Sequence, residues 1–286
     1  MRLSIDTSEV FVPDGLTVEA AMARTTHLGI GAHQDDLEIM AIHGILSCFR
    51  QKDQWFAGVV VTDGGGSPRD GVYGEFSDEQ MRAVRRKEQK EAALLGEYGA
   101  QVFLDYPSAA VKDGSNVAIV EDLVQVLRAA RAQHVYTHNL ADKHDTHVGV
   151  ALKVIEALRR LPEADRPERV YGCEVWRDLD WLNDTEKLAF DVSPHENLQT
   201  ALLEVFDSQI AGGKRYDLAT MGRRRANATY YASHSVDLTT GMVFAMDLTP
   251  MIKDPGVGAW DLVRGHIERF SDEIAHRLER LQGMAS

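Results

Sequence analysis

Cysteine is almost missing from this chain: Cys48 and Cys173 are the only two, and each lies inside an apolar stretch. A disulfide framework and a thiolate metal centre are thereby set aside, and the pair reads as reduced, buried small hydrophobes. Positive charge is also short, with 31 Lys and Arg against 44 Asp and Glu, a formal net charge of −13 and a pI near 5.3. That balance argues against nucleic acid and against anionic membrane surfaces as partners, while a small basic pocket for an anionic ligand stays open. No apolar run is long enough to span a bilayer. Residues 1–25 lack the basic, apolar and small-residue segments of a signal peptide, so the reducing cytoplasm is the expected compartment. Repeats, low-complexity tracts and a convincing linker are lacking too, and the 286 residues are expected to form one domain over 1–286.

What the chain does contain is alternation. Apolar runs predict strands over 26–32, 55–62, 101–106 and 134–138, and helical spacing predicts helices over 36–51, 78–95, 117–132 and 146–161. Three valines in the second run suit a strand buried on both faces. Four strand and helix pairs in succession predict an α/β fold, a Rossmann-like, mostly parallel sheet flanked by helices, with its site at the carboxyl ends of the strands. Later, strands over 170–176, 187–192 and 242–248 and helices over 196–210, 215–231 and 260–281 form a C-terminal extension expected to wall that site.

Two strand ends carry the chemistry. The first run is followed by His33-Gln34-Asp35-Asp36-Leu37-Glu38, and the fourth by His144-Asp145-Thr146-His147. His33 and Asp36, three apart at a strand-to-helix turn, form a reachable chelate. Asp35 beside them is placed to take a proton from water. His144 and His147 share one face of a helix start, so one can ligate while the other moves protons. Two imidazoles and one carboxylate leave coordination positions open, as catalytic zinc requires and a closed structural site does not. Each block has a plainer alternative: the Asp-Asp pair as a helix cap, the His-x-x-His as a chance spacing on a solvated helix end. The recurrence of both at matching strand ends favours a metal-dependent hydrolase.

Residues 32–39, Ala-His-Gln-Asp-Asp-Leu-Glu-Ile, together with His144-Asp145-Thr146-His147, resemble the signature pair of the PIG-L/LmbE-like zinc-dependent N-acetylglucosaminide deacetylases. Residues 59–66 are similar to that family's second strand and glycine-containing loop, and Arg85, Glu88, Ala92, Ala93 and Leu95-Gly96 resemble its arginine-bearing helix. Ser208-Gln209 and residues 223–231 are weaker points of similarity. The resemblance implies that His33, Asp36 and His147 bind one Zn2+ per chain, with Fe2+ or Mn2+ as alternatives. It also implies that Asp35 is the general base, that His144 stabilises the oxyanion or protonates the leaving amine, and that Arg85 reaches the sugar. The expected partner is a small amino-sugar substrate, and a homo-oligomer is left open. Two departures bear on substrate rather than reaction. Gln34 stands where the family usually has proline, and the acidic residue after the Asp-Asp pair is displaced to Glu38, a spacing of the bacillithiol-type branch.

Asp63, heading Asp63-Gly64-Gly65-Gly66, is a further substrate-binding candidate and equally a capping aspartate. His138 is either a group supporting the metal ligands or a strand-end histidine, and the second reading is preferred. Loops over 64–76 and 230–237 are expected to select substrate. The rivals are a metal-dependent amidase acting on a thiol conjugate or an antibiotic acyl group, and a non-catalytic sugar- or nucleotide-binding module. The glycine run lacks both the Gly-x-Gly-x-x-Gly and the Walker spacing that the module would favour.

Overall fold

The computed structural model describes residues 1–283. Eight strands form one sheet: β1 (Glu9–Phe11), β2 (His27–Gly31), β3 (Phe56–Thr62), β4 (Ala100–Tyr106), β5 (His134–His138), β6 (Arg169–Cys173), β7 (Leu188–Asp191) and β8 (Met242–Asp247). They lie in the order β1-β4-β3-β2-β5-β6-β8-β7. The five central strands, β4 to β6 across the sheet, run parallel, and the outer pairings are antiparallel. β2 and β3 are buried along their whole length, which is why they are written in valine, isoleucine and glycine without polar alternation.

Helices cover both faces. Val18–Ala23, Ala118–Ala130, Asp145–Arg159 and Thr249–Lys253 pack as one layer, and Asp36–Met40, Ile42–Cys48, Asp78–Leu95 and Glu196–Glu204 belong to the other, each with its own apolar core against the sheet. From β2 the chain winds outward to β3 and β4 on one side. From β5 it winds outward to β6 on the other. The crevice between the carboxyl ends of β2 and β5 is therefore the topological switch point, where open α/β sheets bind ligands.

The helix Asp36–Met40 sits unusually low on the sheet. Gly29 and Gly58 are register partners on β2 and β3; a Cβ on Gly29 would lie 3.0 Å from Leu37 Cδ2, and one on Gly58 would lie 2.7 Å from Leu37 Cδ1. Leu37 fills the notch that these two missing side chains leave, and it is wholly buried. The C-terminal extension clamps the same helix from outside. Arg224 donates to the carbonyls of Glu38 (2.7 Å) and Ile39 (3.3 Å) and to Gln199 Oε1 (3.0 Å).

At the far ends of β2 and β5 a second group of histidines is buried for structural reasons. His27 and His134 are register partners with ring centroids 4.6 Å apart, and His43 Nδ1 lies 2.9 Å from the Tyr136 hydroxyl. Burial pushes His27 down to about 3 and His43 down to about 4. With folded values below the ordinary 6.5, the unfolded chain takes up protons first, so this contribution to stability is complete above about pH 6.5 and is lost as pH falls toward the folded values. Replacing His27 by phenylalanine is expected to spare about 1.4 kcal/mol of that loss per pH unit between pH 6 and 4. Urea midpoints of parent and variant at both pH values read this directly.

Candidate active site

The turn after β2 is built around Asp36. Its Oδ2 accepts the His33 backbone N–H at 2.6 Å, folding the side chain back over the strand end instead of capping the helix. Asp35 occupies the N-cap position with φ 94° and makes no capping hydrogen bond. The capping alternative for the Asp-Asp pair therefore fails. Across the switch point, the loop after β5 is closed by Asp142: its Oδ1 accepts from His144 N–H (3.0 Å) and its Oδ2 from Trp176 N–H (3.1 Å). The helix Asp145–Arg159 then starts with His147 facing β2.

These two turns bring the three expected ligands together. His33 Nδ1 is 3.2 Å from Asp36 Oδ2 and 3.2 Å from His147 Nε2, and His147 Nε2 is 3.4 Å from Asp36 Oδ1. These contacts use both Asp36 oxygens, Oδ2 toward His33 and Oδ1 toward His147. The sets offering one ligand atom each within 4.8 Å are His33, His144 and His147 on one side and Asp36, His138 and His147 on the other, so His147 is shared by two overlapping candidate metal clusters. His144 belongs to the cluster too: its ring nitrogens approach those of His33 and His147 within 4.8 Å, and its ring centroid is 4.5 Å from that of His147.

The protonation of the set is mixed: burial acts to lower His147, but the Asp36 and Asp142 carboxylates outweigh it and raise its proton affinity, while His33 and Asp36 move the other way. Burial pushes His33 down to about 4, which leaves a ring lone pair free of its proton. Burial also acts to raise Asp36, but the pull of His147 and His138 outweighs it and holds the carboxyl well below the usual carboxylate range. Asp35 moves the other way. Burial first, then the adjacent Asp36 carboxylate, push it well above that range, with the Arg85 guanidinium opposing. Neighbouring carboxylates are thus driven apart, as sites that need one permanent anion and one proton carrier arrange them.

Several supporting residues carry no spacing signal in the sequence. Asp142 Oδ2 stands 3.5 Å behind His147 Nδ1, where a carboxylate fixes the orientation of a ligating ring. Asp142→Asn is expected to lower metal affinity about 10–100-fold with little change in fold; competitive titration with a chelator measures it. His138 is more than a strand-end residue. Its Nε2 accepts the Ala32 N–H at 2.9 Å, and its ring stacks on His147 with centroids 3.9 Å apart. Gln34, in the place of the family's proline, donates from Nε2 to the Thr62 carbonyl at 3.3 Å and so ties the turn to β3.

The candidates for substrate contact fare differently. Arg85 lines the cleft, but it is 3% exposed. Its guanidinium donates to the carbonyls of Gln34 (2.8 Å) and Gly64 (3.3 Å) and lies 3.9 Å from Asp35 Oδ2. It is a brace for two loops that also sets the field at Asp35. Asp63 does not line the cleft. It accepts from Gly65 N–H (3.0 Å) and pairs with Arg82 Nε (2.9 Å), which is the capping role. Glu38 is buried away from the cleft, accepting from Gln89 (2.8 Å) and Tyr98 (2.7 Å). Its displaced position therefore shapes the core and not the substrate wall.

The cleft itself holds about 370 Å3 and contains His33, Asp35, Asp36 and His144. Gly64, Gly66, Ser67 and Pro68 form one rim, as the loop over 64–76 was expected to do. The loop over 230–237 does not line it, and Tyr230 and Val236 are about four-fifths exposed. The opposite wall comes from Val175 and Trp176, just after β6, and from Lys214 and Tyr216 of the C-terminal extension. None of the described helices is long and apolar enough to cross a membrane.

Residues 28–158 match the profile of the family described as PIG-L, GlcNAc-PI de-N-acetylase. The chain is 27% identical over 156 residues to the uncharacterized deacetylase YaiS of Escherichia coli (strain K12), covering 53% of this chain and 78% of that one. Its fold is similar to that of the N,N'-diacetylchitobiose deacetylase from Pyrococcus horikoshii, solved with its inhibitor MPG, with a TM-score of 0.58, 20% identity, and 78% and 84% of the two chains covered. It is equally similar, at a TM-score of 0.58 and 16% identity, to GalB, the 4-carboxy-2-hydroxymuconate hydratase from Pseudomonas putida KT2440, over 78% and 95% of the chains. The matched segment holds both signature turns and every residue of the two overlapping metal candidates, His33, Asp36, His138, His144 and His147. Residues 28–158 are thus similar to the PIG-L family model.

Proposed function

We propose that the protein is a metal-dependent hydrolase, a zinc-type N-deacetylase that removes the acetyl group from an N-acetylglucosamine-type sugar or its conjugate, acting as one domain in the cytoplasm. The observation that carries this reading is the packing of His33, Asp36 and His147, each pair 3.2 to 3.4 Å apart with His33 on Asp36 Oδ2 and His147 on Asp36 Oδ1, and the Asp35 carboxyl lining the same cleft as His33 and Asp36. When bound there, a divalent cation supplies Lewis acidity toward the amide carbonyl and toward water. Asp35 takes the proton of the attacking water and returns it to the leaving amine, which its raised proton affinity suits. His144 closes the other flank and donates to the oxyanion; donors of this kind are worth roughly 2.7 to 4 kcal/mol. Arg85 keeps the turn of Gln34 and Asp35 in place and holds positive charge near the base.

The test is metal content of the purified protein, together with amine release from N-acetylglucosamine and its simple glycosides before and after chelation. About one metal per chain and chelator-sensitive amine release are expected. Bound metal without amine release would move the reading to a thiol conjugate or an antibiotic acyl group, or to the water addition that the fold also supports in the hydratase. Absence of any bound metal after zinc loading would overturn it.

A further inference from the structure

The cleft has a second chamber that the proposed chemistry does not use. It holds about 290 Å3 and shares Ile39, Val175, Trp176, Lys214 and Tyr216 with the metal-side cleft, extending beyond them toward Arg223. Its character differs sharply from the protein's. In a chain with 44 acidic and 31 basic residues, three of the chamber's nine lining residues are cationic and none is acidic. Arg215 is neutralised by Asp217. Neither Lys214, which is exposed, nor Arg223, which is half-buried and acts on the buried Glu174 carboxyl, has a carboxylate within ion-pair distance among the described residues. Arg223 donates to the Val175 carbonyl, which pins its guanidinium at the wall, and Lys214 Nζ stands 5.3 Å from the centre of the Trp176 ring. The remaining surface is aromatic and aliphatic. Trp176 and Tyr216 meet edge to face, with ring centroids 6.0 Å apart, and Ile39 comes from the catalytic helix itself.

We infer that this chamber is the subsite for the group attached to the reacting sugar, and that it takes an apolar, ring-bearing aglycone carrying one anionic substituent. This rests on the amino-sugar reading of the adjoining cleft. A cavity of this size admits one ring-sized group. The apolar floor gains from burying it, and Trp176 offers a π-face. Three cations and no acid around an apolar chamber give it a positive field that an anionic substituent complements. Carboxylate and phosphate satisfy that chemistry alike.

The experiment compares kcat/KM of the zinc-loaded protein for phenyl, 4-carboxyphenyl and 4-phosphophenyl N-acetylglucosaminides. A preference of tenfold or more for a charged ring over phenyl is expected, through KM. It should fall toward one in Lys214→Met and return in Lys214→Arg, and the better of the two charged rings identifies the anion. A ratio near one in the parent, or a preference that Lys214→Met leaves intact, overturns the subsite. Should no glycoside be hydrolysed, the amino-sugar reading has failed on its own. Calorimetry with the corresponding glucosides, which lack the acetamido group, then decides the chamber by the same charged-to-neutral ratio and the same variants.

Discussion

Asp35→Asn is expected to lower kcat by about 10²–10⁴-fold while the protein keeps its metal. The amide retains the size of the carboxylate and can still meet the field of Arg85, 3.9 Å away, but it cannot take up a proton. Asp36, His33 and His147 stay as they are, so a metal assay on the variant should match the parent. The two readouts together separate the paired carboxylates. Loss of turnover with metal retained assigns proton transfer to Asp35, whereas loss of metal would make Asp35 a ligand. Undiminished turnover would remove it from the chemistry altogether.

The largest effect on stability is expected from Leu37→Ala, about 2–5 kcal/mol by denaturant midpoint, because the side chain is fully buried and the notch beneath it cannot collapse. Its floor is the backbone of Gly29 and Gly58 on two central strands, and those strands are locked in the sheet. Leu37→Met, close in volume, should cost less than about 1.5 kcal/mol. Leu37 follows Asp36 directly, so the seat of the helix is also the seat of the carboxylates. The alanine variant is expected to lose activity at temperatures where it is still folded, since a misplacement of about 1 Å at a reacting group costs on the order of 10²-fold. A variant destabilised but fully active would show that the site is held by its own hydrogen bonds and not by this packing.

The parallel core was legible because its strands are buried on both faces and so carry unbroken apolar runs. The predicted 55–62 and 134–138 became Phe56–Thr62 and His134–His138. β1 was not, since three half-buried residues on an antiparallel edge have no period to read. The helix expected over 36–51 is two, Asp36–Met40 and Ile42–Cys48, parted at Ala41 with φ −100°. No glycine or proline marks that break. Within the site, the residues that announced themselves were those close in sequence, His33 to Asp36 and His144 to His147. Trp176 went unnoticed because it reaches the cleft through a contact thirty-four residues away, and Asp142, two residues before His144, because a single aspartate in a polar turn carries no spacing signal. The strand expected over 170–176 ends at Cys173, and beyond it Glu174 accepts from Leu179, Asn227 and Phe244, which fixes the turn that carries Val175 and Trp176 to the cleft.

Asp35 holds φ at 94°, a backbone region that a residue with a Cβ occupies at a cost of about 1 kcal/mol and that glycine occupies freely. Redesign guided by thermal tolerance alone would therefore favour glycine at this position and would register the change as an improvement. Among the described non-glycine residues with positive φ, the one furthest from the left-handed helical region is also the proposed proton carrier. Here robustness and catalysis pull on a single position in opposite directions, and thermostability screens run without an activity assay would select steadily against the enzyme.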